Sequence, residues 1–317
     1  MDIRIQDIKI SDVYAEDYDL ALFACGYEKR CTFLLGNLDI VKIKEARVLK
    51  HLNNKTEDGF YENEQFFLDL FPDNVVEVSA NDLQLYQILH SCQFEKDSVR
   101  ILVDYSSMSK MWYNAMFNWF KFEERVSSCI IDFVYTKGIY RNEFNPLLIH
   151  DILALPGCEG SFYNKDKTIA LFGLGFDATV ALTVFDRFEP DIVGTYYASP
   201  GSSVGDSIKV KEKNSQFLKS HADFTLKFPI SNISAIVGEL KELLTDNLGK
   251  DNIIIVPLGP KPHVLASIIL SHRYNQHITC LRVSGSRREN VDVSPKIDEN
   301  GCGDFVTTRV EMRKKNE

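Results

Sequence analysis

The segment Val103-Asp104-Tyr105-Ser106-Ser107-Met108-Ser109-Lys110-Met111-Trp112 crowds an acid, three hydroxyls and a lysine into one junction, with an apolar β-forming run before it and an apolar helical pattern after it. Hydroxyls and the unpaired N–H groups of a helix start bind phosphate oxygens, a lysine supplies the counter-charge, and Asp104 can orient the loop. The plainer reading of the same residues is a serine cap with a solvated lysine beside it. A comparable junction follows in the second half, Val256-Pro257-Leu258-Gly259-Pro260-Lys261-Pro262-His263, which keeps a lysine and places Gly259 and His263 around it. Its three prolines make it stiff, and Pro262 suits the first turn of a helix. Stiffness fits a preformed pocket, and it equally fits a simple strand end.

Two further junctions carry candidate chemistry. Cys25-Gly26-Tyr27-Glu28 and Gly173-Leu174-Gly175-Phe176-Asp177 each run from an apolar strand-like stretch through glycine and an aromatic residue to an acid. Both resemble part of a dinucleotide fingerprint, but neither contains the full G-x-G-x-x-G. Glu28 and Asp177 can contact a ligand hydroxyl or base, or can simply favour the positive end of a helix. Lys29 and Arg30 add positive charge in the first half only. Tyr196-Tyr197-Ala198-Ser199-Pro200-Gly201-Ser202-Ser203 offers aromatics and hydroxyls for base stacking, its counterpart Leu49-Lys50-His51-Leu52-Asn53-Asn54 is polar, and Arg287 and Arg288 add planar cationic donors. A solvated loop explains these equally well.

Familiar catalytic patterns are missing. The seven histidines (51, 90, 150, 221, 263, 272 and 277) show no H-x-x-x-H or H-E-x-x-H spacing, and the seven cysteines include no C-x-x-C pair, so neither a metal site nor a resident cofactor is expected. There is no G-x-S-x-G elbow and no G-x-x-x-x-G-K-[ST] loop. Cys25, at a strand end, is the one thiol placed to react, although core packing explains it more simply.

The elements that must position these residues come in two sets. Leu20-Ala21-Leu22-Phe23-Ala24-Cys25-Gly26-Tyr27-Glu28 is echoed by Ile169-Ala170-Leu171-Phe172-Gly173-Leu174-Gly175-Phe176-Asp177 at an offset of 149. Val75–Val78 answers Thr225–Phe228, Ile101–Val103 answers Ile254–Val256, and Asp132–Tyr135 answers Leu281–Ser284, at offsets of 150, 153 and 149. Helical stretches are expected to open at Asn81-Asp82 and at Ser231-Asn232, where the side chains suit N-caps. Strands are predicted near 19–24, 45–50, 74–79, 99–104 and 129–136, with helices near 28–36, 62–71, 82–91 and 108–124. The second set is predicted near 168–173, 192–197, 224–228, 253–257 and 278–284, with helices near 177–188, 215–221, 232–246 and 261–274. Regular alternation predicts an α/β fold of two tandem Rossmann-like parallel-sheet units related by internal duplication, residues 1–160 and 161–317. An edge strand is expected at the N-terminus, another strand at 149–155, a returning antiparallel strand at 305–310, and a frayed end from Arg313 to Glu317. Any ligand is expected where the two similar halves meet.

Composition narrows the partners. With 36 Lys and Arg against 45 Asp and Glu, the formal charge of −9 disfavours bulk nucleic-acid binding but allows a small anionic ligand in a local basic pocket. The odd cysteine count and the absence of an apolar leader or spanning segment imply a reducing, cytoplasmic setting without a membrane.

The pattern Asp104-x-Ser106-Ser107-x-Ser109-Lys110 resembles the D-x-T-G-G-T-K turn of CRISPR-associated Rossmann-fold (CARF) sensors, with serines for threonines and with Ser107 and Met108 in place of the two glycines. The match covers one turn. In that family the turn lies at the dimer cleft and contacts a cyclic oligoadenylate, and the related SAVED domains fuse two such units in one chain. The resemblance implies a phosphate- or ribose-contacting role for Ser106, Ser109 and Lys110. It also implies a cytoplasmic nucleotide-type ligand sensor of a prokaryotic antiviral defence system, acting through a protein partner that carries the effector. The alternative expectation is an enzyme on a nucleotide or sugar phosphate, with Asp104, Glu28 or Asp177 as acid or base.

Overall fold

Strand and helix alternate through much of each parallel-sheet region because apolar β-branched runs and 3.6-period apolar stripes alternate in the sequence. A computed structural model describes residues 1–52, 59–78, 83–140, 145–161, 166–287, 293–299 and 301–314. The expected cap at Asn81-Asp82, together with Asn53, Asn54, Arg288 and residues 315–317, lies outside the described residues.

The first unit begins with β1 (Asp2–Asp7), α1 (Ile10–Ala15), β2 (Leu20–Cys25), β3 (Ala46–His51), α2 (Phe60–Leu70), β4 (Val75–Val78) and α3 (Leu83–Ser91). It continues through β5 (Ser98–Asp104), α4 (Lys110–Phe122), β6 (Ser128–Thr136) and β7 (Gly138–Tyr140). The second unit contains β8 (Leu148–Ala154), β9 (Thr168–Leu174), α5 (Ala178–Phe188), β10 (Ile192–Ala198), α6 (Asp206–Lys213), α7 (Ser215–Ser220) and β11 (Phe224–Phe228). It closes with α8 (Ile233–Leu244), β12 (Asn252–Pro257), α9 (Lys261–Arg273) and β13 (Ile278–Ser286). The chain then returns to the first unit with β14 (Val293–Pro295) and β15 (Phe305–Arg313).

That return redraws the expected boundary at 160. The compact units are Met1–Asn142 with Val291–Glu317, and Glu143–Asn290. Sequence order places the strand at 305–313 after the second sheet, but it pairs antiparallel with β6 from Phe305↔Thr136 to Arg313↔Ser128, and with β1 on its other side. The strand at 148–154 pairs antiparallel with β13. Residues Arg313 and Lys314 are not frayed: Arg313 lies in β15, and the Lys314 backbone N–H donates to Ser127 O at 3.0 Å.

The first sheet has the order β1-β15-β6-β5-β2-β3-β4 and the second β11-β10-β9-β12-β13-β8. Within each, five strands run parallel. Numbered by their order in the chain, both sets of five read 3-2-1-4-5 across the sheet. Each set is flanked by an antiparallel strand beside its fifth member. All six residues of β2 are buried, as a central parallel strand covered on both faces requires. The helix after each fourth strand is buried on nearly every side, from Met111 to Phe120 in α4 and from Pro262 to His272 in α9. Phe117 of α4 stacks on Phe133 of β6 with ring centroids 5.9 Å apart, a buried aromatic contact whose truncation costs about 3–5 kcal/mol in comparable cores.

The helix expected over 28–36 is instead a chain of short 3₁₀ turns at Lys29–Cys31, Leu35–Asn37 and Ile40–Lys42. Cys31, Thr32 and Phe33 are poor helix formers, Gly36 is worse, and Asn37 turns its side-chain amide back to Phe33 O at 2.7 Å. No helix among the described residues is long and apolar enough to cross a membrane.

Candidate functional site

In open parallel sheets ligands collect outside the carboxyl ends of the strands where the strand order reverses. In the first unit the reversal falls between β2 and β5, so the turns that follow these two strands, Gly26–Arg30 and Tyr105–Lys110, should meet there. They do: Ser107 Oγ donates to Glu28 Oε2 at 2.7 Å across a separation of 79 residues.

Glu28 is oriented from below. Arg30 donates from Nε to Oε2 at 3.1 Å and from Nη2 to Oε1 at 3.3 Å. Arg30 is itself buried, donates from Nη1 to Thr136 O at 3.2 Å, and lies over the Tyr135 ring at 4.9 Å. Burial opposes its charge, and the Glu28 carboxylate overrides that and holds the guanidinium above its ordinary pKa. Gly138 makes room for it, since a Cβ there would sit 2.2 Å from Val293 Cγ1 and 3.1 Å from Arg30 Nη1. The first turn is also propped from α2, where Asn63 Nδ2 donates to Gly26 O at 2.8 Å and Glu28 O at 3.2 Å.

The serines of the second turn divide their tasks. Asp104 Oδ1 accepts from the Ser106 N–H at 3.0 Å and from Ser106 Oγ at 2.5 Å, and Ser106 Oγ accepts from the Thr136 N–H at 2.8 Å. Ser106 is fully buried, so this hydroxyl stitches β5 to β6. Ser109 is the N-cap of α4, its side chain accepting from the Met111 N–H at 3.2 Å. Lys110 opens the helix and is half-buried, like Tyr27, Ser107 and Ser109. These four and Glu28 are the sequence-predicted residues of this unit that a ligand can reach without opening the core.

Two residues that the sequence did not single out for a site complete the constellation. His51, at the end of β3, lies with Nε2 3.0 Å from Ser107 O and stacks on Trp112 at 4.2 Å. It also adjoins the first turn: a Cβ on Gly26 would meet His51 Cδ2 at 3.4 Å. Asn63 is the second. Beside them Lys50 Nζ is held between Glu64 at 2.6 Å and Glu77 at 2.8 Å. Cys25 is fully buried, and burial, helped by Glu64, pushes its thiol up to about 12, which suits packing and not reactivity. The only hint of these partners in sequence was the polar stretch Lys50-His51 at a strand end.

The second unit treats the same position differently. Its reversal falls between β9 and β12, where the Leu258 N–H donates to Gly173 O at 2.8 Å. A Cβ on Gly175 would sit 2.2 Å from Leu258 O, and one on Gly259 3.1 Å from Leu174 O. These glycines let the two backbone segments come into direct contact at the reversal. Tyr196, expected to offer a stacking face, is buried over Gly173 and shares a 2.7 Å hydrogen bond with Ser267 Oγ, while Tyr197 is also buried. Asp177 accepts from the Leu147 N–H at 2.8 Å and from Thr179 Oγ1 at 2.6 Å, and pairs with Arg287 at 3.2 Å. Arg287 also donates to Asn145 O. Each unit therefore neutralises the acid after its first parallel strand with an arginine, from two residues away in one case and from the residue after the fifth parallel strand in the other. Phe176 and Lys261 are half-buried.

His263 is 1% exposed, near Tyr196 and Phe228 at 6.0 and 6.4 Å between ring centroids. Neither ring nitrogen makes a well-formed hydrogen bond. Burial pushes its pKa down to about 4, partly opposed by the Pro229 carbonyl, so the ring is neutral. Among the described residues no three His, Cys, Asp or Glu side chains converge as a metal site would require. Comparison of the chain with protein-family models and with curated proteins finds no match.

Proposed function

We propose that this chain is a ligand-binding sensor of the nucleotide type, with its site at the carboxyl edge of the first sheet and its output passed to a protein partner. The observation that carries the reading is the Ser107–Glu28 hydrogen bond, which joins two strand-end turns at the strand-order reversal in front of the α4 N-terminus. Beside that bond Tyr27, Ser109 and Lys110 supply an aromatic face, a hydroxyl and a cation, groups that suit a phosphorylated ribose. The shared 3-2-1-4-5 strand order and sequence offsets of 149 to 153 support descent of both units from one duplicated Rossmann-like ancestor. The likeness of the Asp104–Lys110 turn to that of CARF sensors favours a cyclic oligoadenylate and a role in prokaryotic antiviral defence.

The test is a thermal-shift screen with cyclic oligoadenylates, mononucleotides and sugar phosphates, repeated on Lys110→Ala. A ligand at 100 times its Kd raises stability by about 2.7 kcal/mol, which is readily seen as a shift in Tm. The shift should appear for at least one phosphorylated compound and vanish in the variant. An unchanged shift in Lys110→Ala moves the ligand elsewhere, and conversion of the bound compound during incubation makes the protein an enzyme.

A further inference from the structure

The proposed site contains a carboxylate where a phosphate-binding turn would want none. Glu28, whose side chain is 15% exposed, has its charge matched by Arg30, which is committed to it: the guanidinium is buried and its other hydrogen bond goes to Thr136 O. An anion placed on the Glu28 side chain would meet a carboxylate whose matching arginine is buried behind it. A neutral hydroxyl would not be repelled, because an ionised carboxylate is an acceptor that takes charge-assisted hydrogen bonds from O–H donors. The structure already holds one such donor there, the Ser107 hydroxyl, at 2.7 Å.

Resting on the binding function just proposed, we infer that Glu28 is a specificity residue that reads a ligand hydroxyl, and that Ser107 Oγ occupies the place that hydroxyl takes. The ligand class is therefore a ribose- or sugar-bearing phosphate, its phosphate at the Lys110 end of the crevice and its diol on Glu28. The two turns divide the ligand by chemistry. The Ser109-capped helix start and Lys110 suit negative charge, and the first turn suits a donor. The framework is rigid enough to discriminate. Arg30 fixes the carboxylate from beneath, Asn63 fixes the backbone on either side of it, and the His51 ring, packed on Trp112, lies against the Ser107 carbonyl. Loss of one hydroxyl donor to a held, partly buried carboxylate is the type of mismatch that binding sites reject strongly.

The experiment uses the full chain and two pairs of probes, AMP with 2′-deoxy-AMP and ribose 5-phosphate with 2-deoxyribose 5-phosphate, each titrated by isothermal calorimetry and by ligand-observed NMR. Wild type should bind the ribo member of at least one pair tenfold or more tightly than its deoxy partner. In Glu28→Gln that ratio should fall to within twofold of unity. Because Glu28→Gln leaves a buried arginine without its counter-charge, Ser107→Ala serves as the second variant: it keeps the Glu28–Arg30 pair, vacates the hydroxyl position and should widen the ratio by three- to tenfold. Equal binding of both members in wild type, or a ratio unmoved by either variant, overturns the hydroxyl assignment while leaving phosphate binding intact. Failure of every probe, cyclic oligoadenylates included, to bind at millimolar concentration overturns both readings.

Discussion

Arg30 shows how much of this site is foundation. Taking a guanidinium out of water costs several kcal/mol, and it is tolerated here because Glu28, the Thr136 carbonyl and the Tyr135 face surround it. Arg30→Leu strands a Glu28 side chain that is only 15% exposed, so a loss of about 3 kcal/mol is expected in urea unfolding, against less than about 0.5 kcal/mol for the exposed neighbour in Lys29→Ala. His263 makes a second prediction at this scale. Its pKa falls from 6.5 in the unfolded chain to about 4 in the fold, so the neutral ring is the stable one. The stabilisation is complete above pH 6.5 and is lost as pH drops towards 4, a change of about 3 kcal/mol between pH 7 and pH 4. Denaturant melts of wild type and His263→Leu across that range check it: wild type should lose about 3 kcal/mol relative to the variant as pH falls from 7 to 4, and parallel pH profiles would refute it. The residue types of the site were legible in the sequence; their duties were not. Three serines and a lysine in one turn mark the place, but whether a hydroxyl faces outwards, caps a helix or stitches two strands depends on partners 30 and 79 residues away. Short polar side chains satisfy local and distant partners equally well, so Ser106 and Ser107 read alike until folded.

At the scale of elements, the turns after the first and fourth parallel strands meet differently in the two units. In the first unit they meet through side chains and leave polar groups at the surface; in the second they meet through backbone. Gly175 is the test. Alanine there places Cβ 2.2 Å from the Leu258 carbonyl oxygen, so the two segments must separate, and Gly175→Ala should lower stability by about 2 kcal/mol or more. Gly238, inside α8 with nothing within 4 Å of an added methyl, provides the opposite sign: Gly238→Ala should raise stability by about 1 kcal/mol, the ordinary gain in helix propensity. Thermal melts of the two variants should move in opposite directions. The strands themselves were easy to read, because buried parallel strands such as Leu20–Cys25, and the Ile253-Ile254-Ile255-Val256 stretch of β12, are continuous apolar runs. The stretch Lys29–Lys42 was not. Its apolar residues recur at helical spacing, yet Gly36 and a side chain bonding back to the backbone at Asn37 favour isolated 3₁₀ turns over a continuous helix.

The whole molecule differs from two beads on a string in where its last strand goes. Residues 305–313 sit between β1 and β6, so the first sheet is complete only after the entire second unit has been made. Local pattern cannot announce such a pairing: a strand signal says nothing about which edge it joins, and Arg309 lies 177 residues from its partner. That partner, Asp132, is fully buried and accepts from Arg309 Nε and Nη2 at 2.7 and 2.8 Å and from Tyr18 Oη at 2.8 Å. Arg309 also pairs with Glu16 at 3.1 Å, and Arg100 reaches the same two acids at 3.1 and 3.8 Å. The network thus ties β15 to β6, to β5 and to the segment between α1 and β2. Its bonds to Asp132 hold the Arg309 guanidinium above its ordinary pKa. Arg309→Ala removes the bidentate partner and leaves a buried carboxylate facing Tyr18 and a more distant arginine, a change that costs about 3–5 kcal/mol. Arg313→Ala, at the exposed end of the same strand, should cost under about 0.5 kcal/mol. Hydrogen exchange locates the damage. In Arg309→Ala the amides of β1, β15 and β6 should lose protection together, because β15 is the strand that joins the other two, while β9 and β12 of the second unit keep theirs. Uniform loss across both sheets would mean that the two units unfold as one, and no loss at β1 would mean that the Asp132 network does not hold the final strand in place.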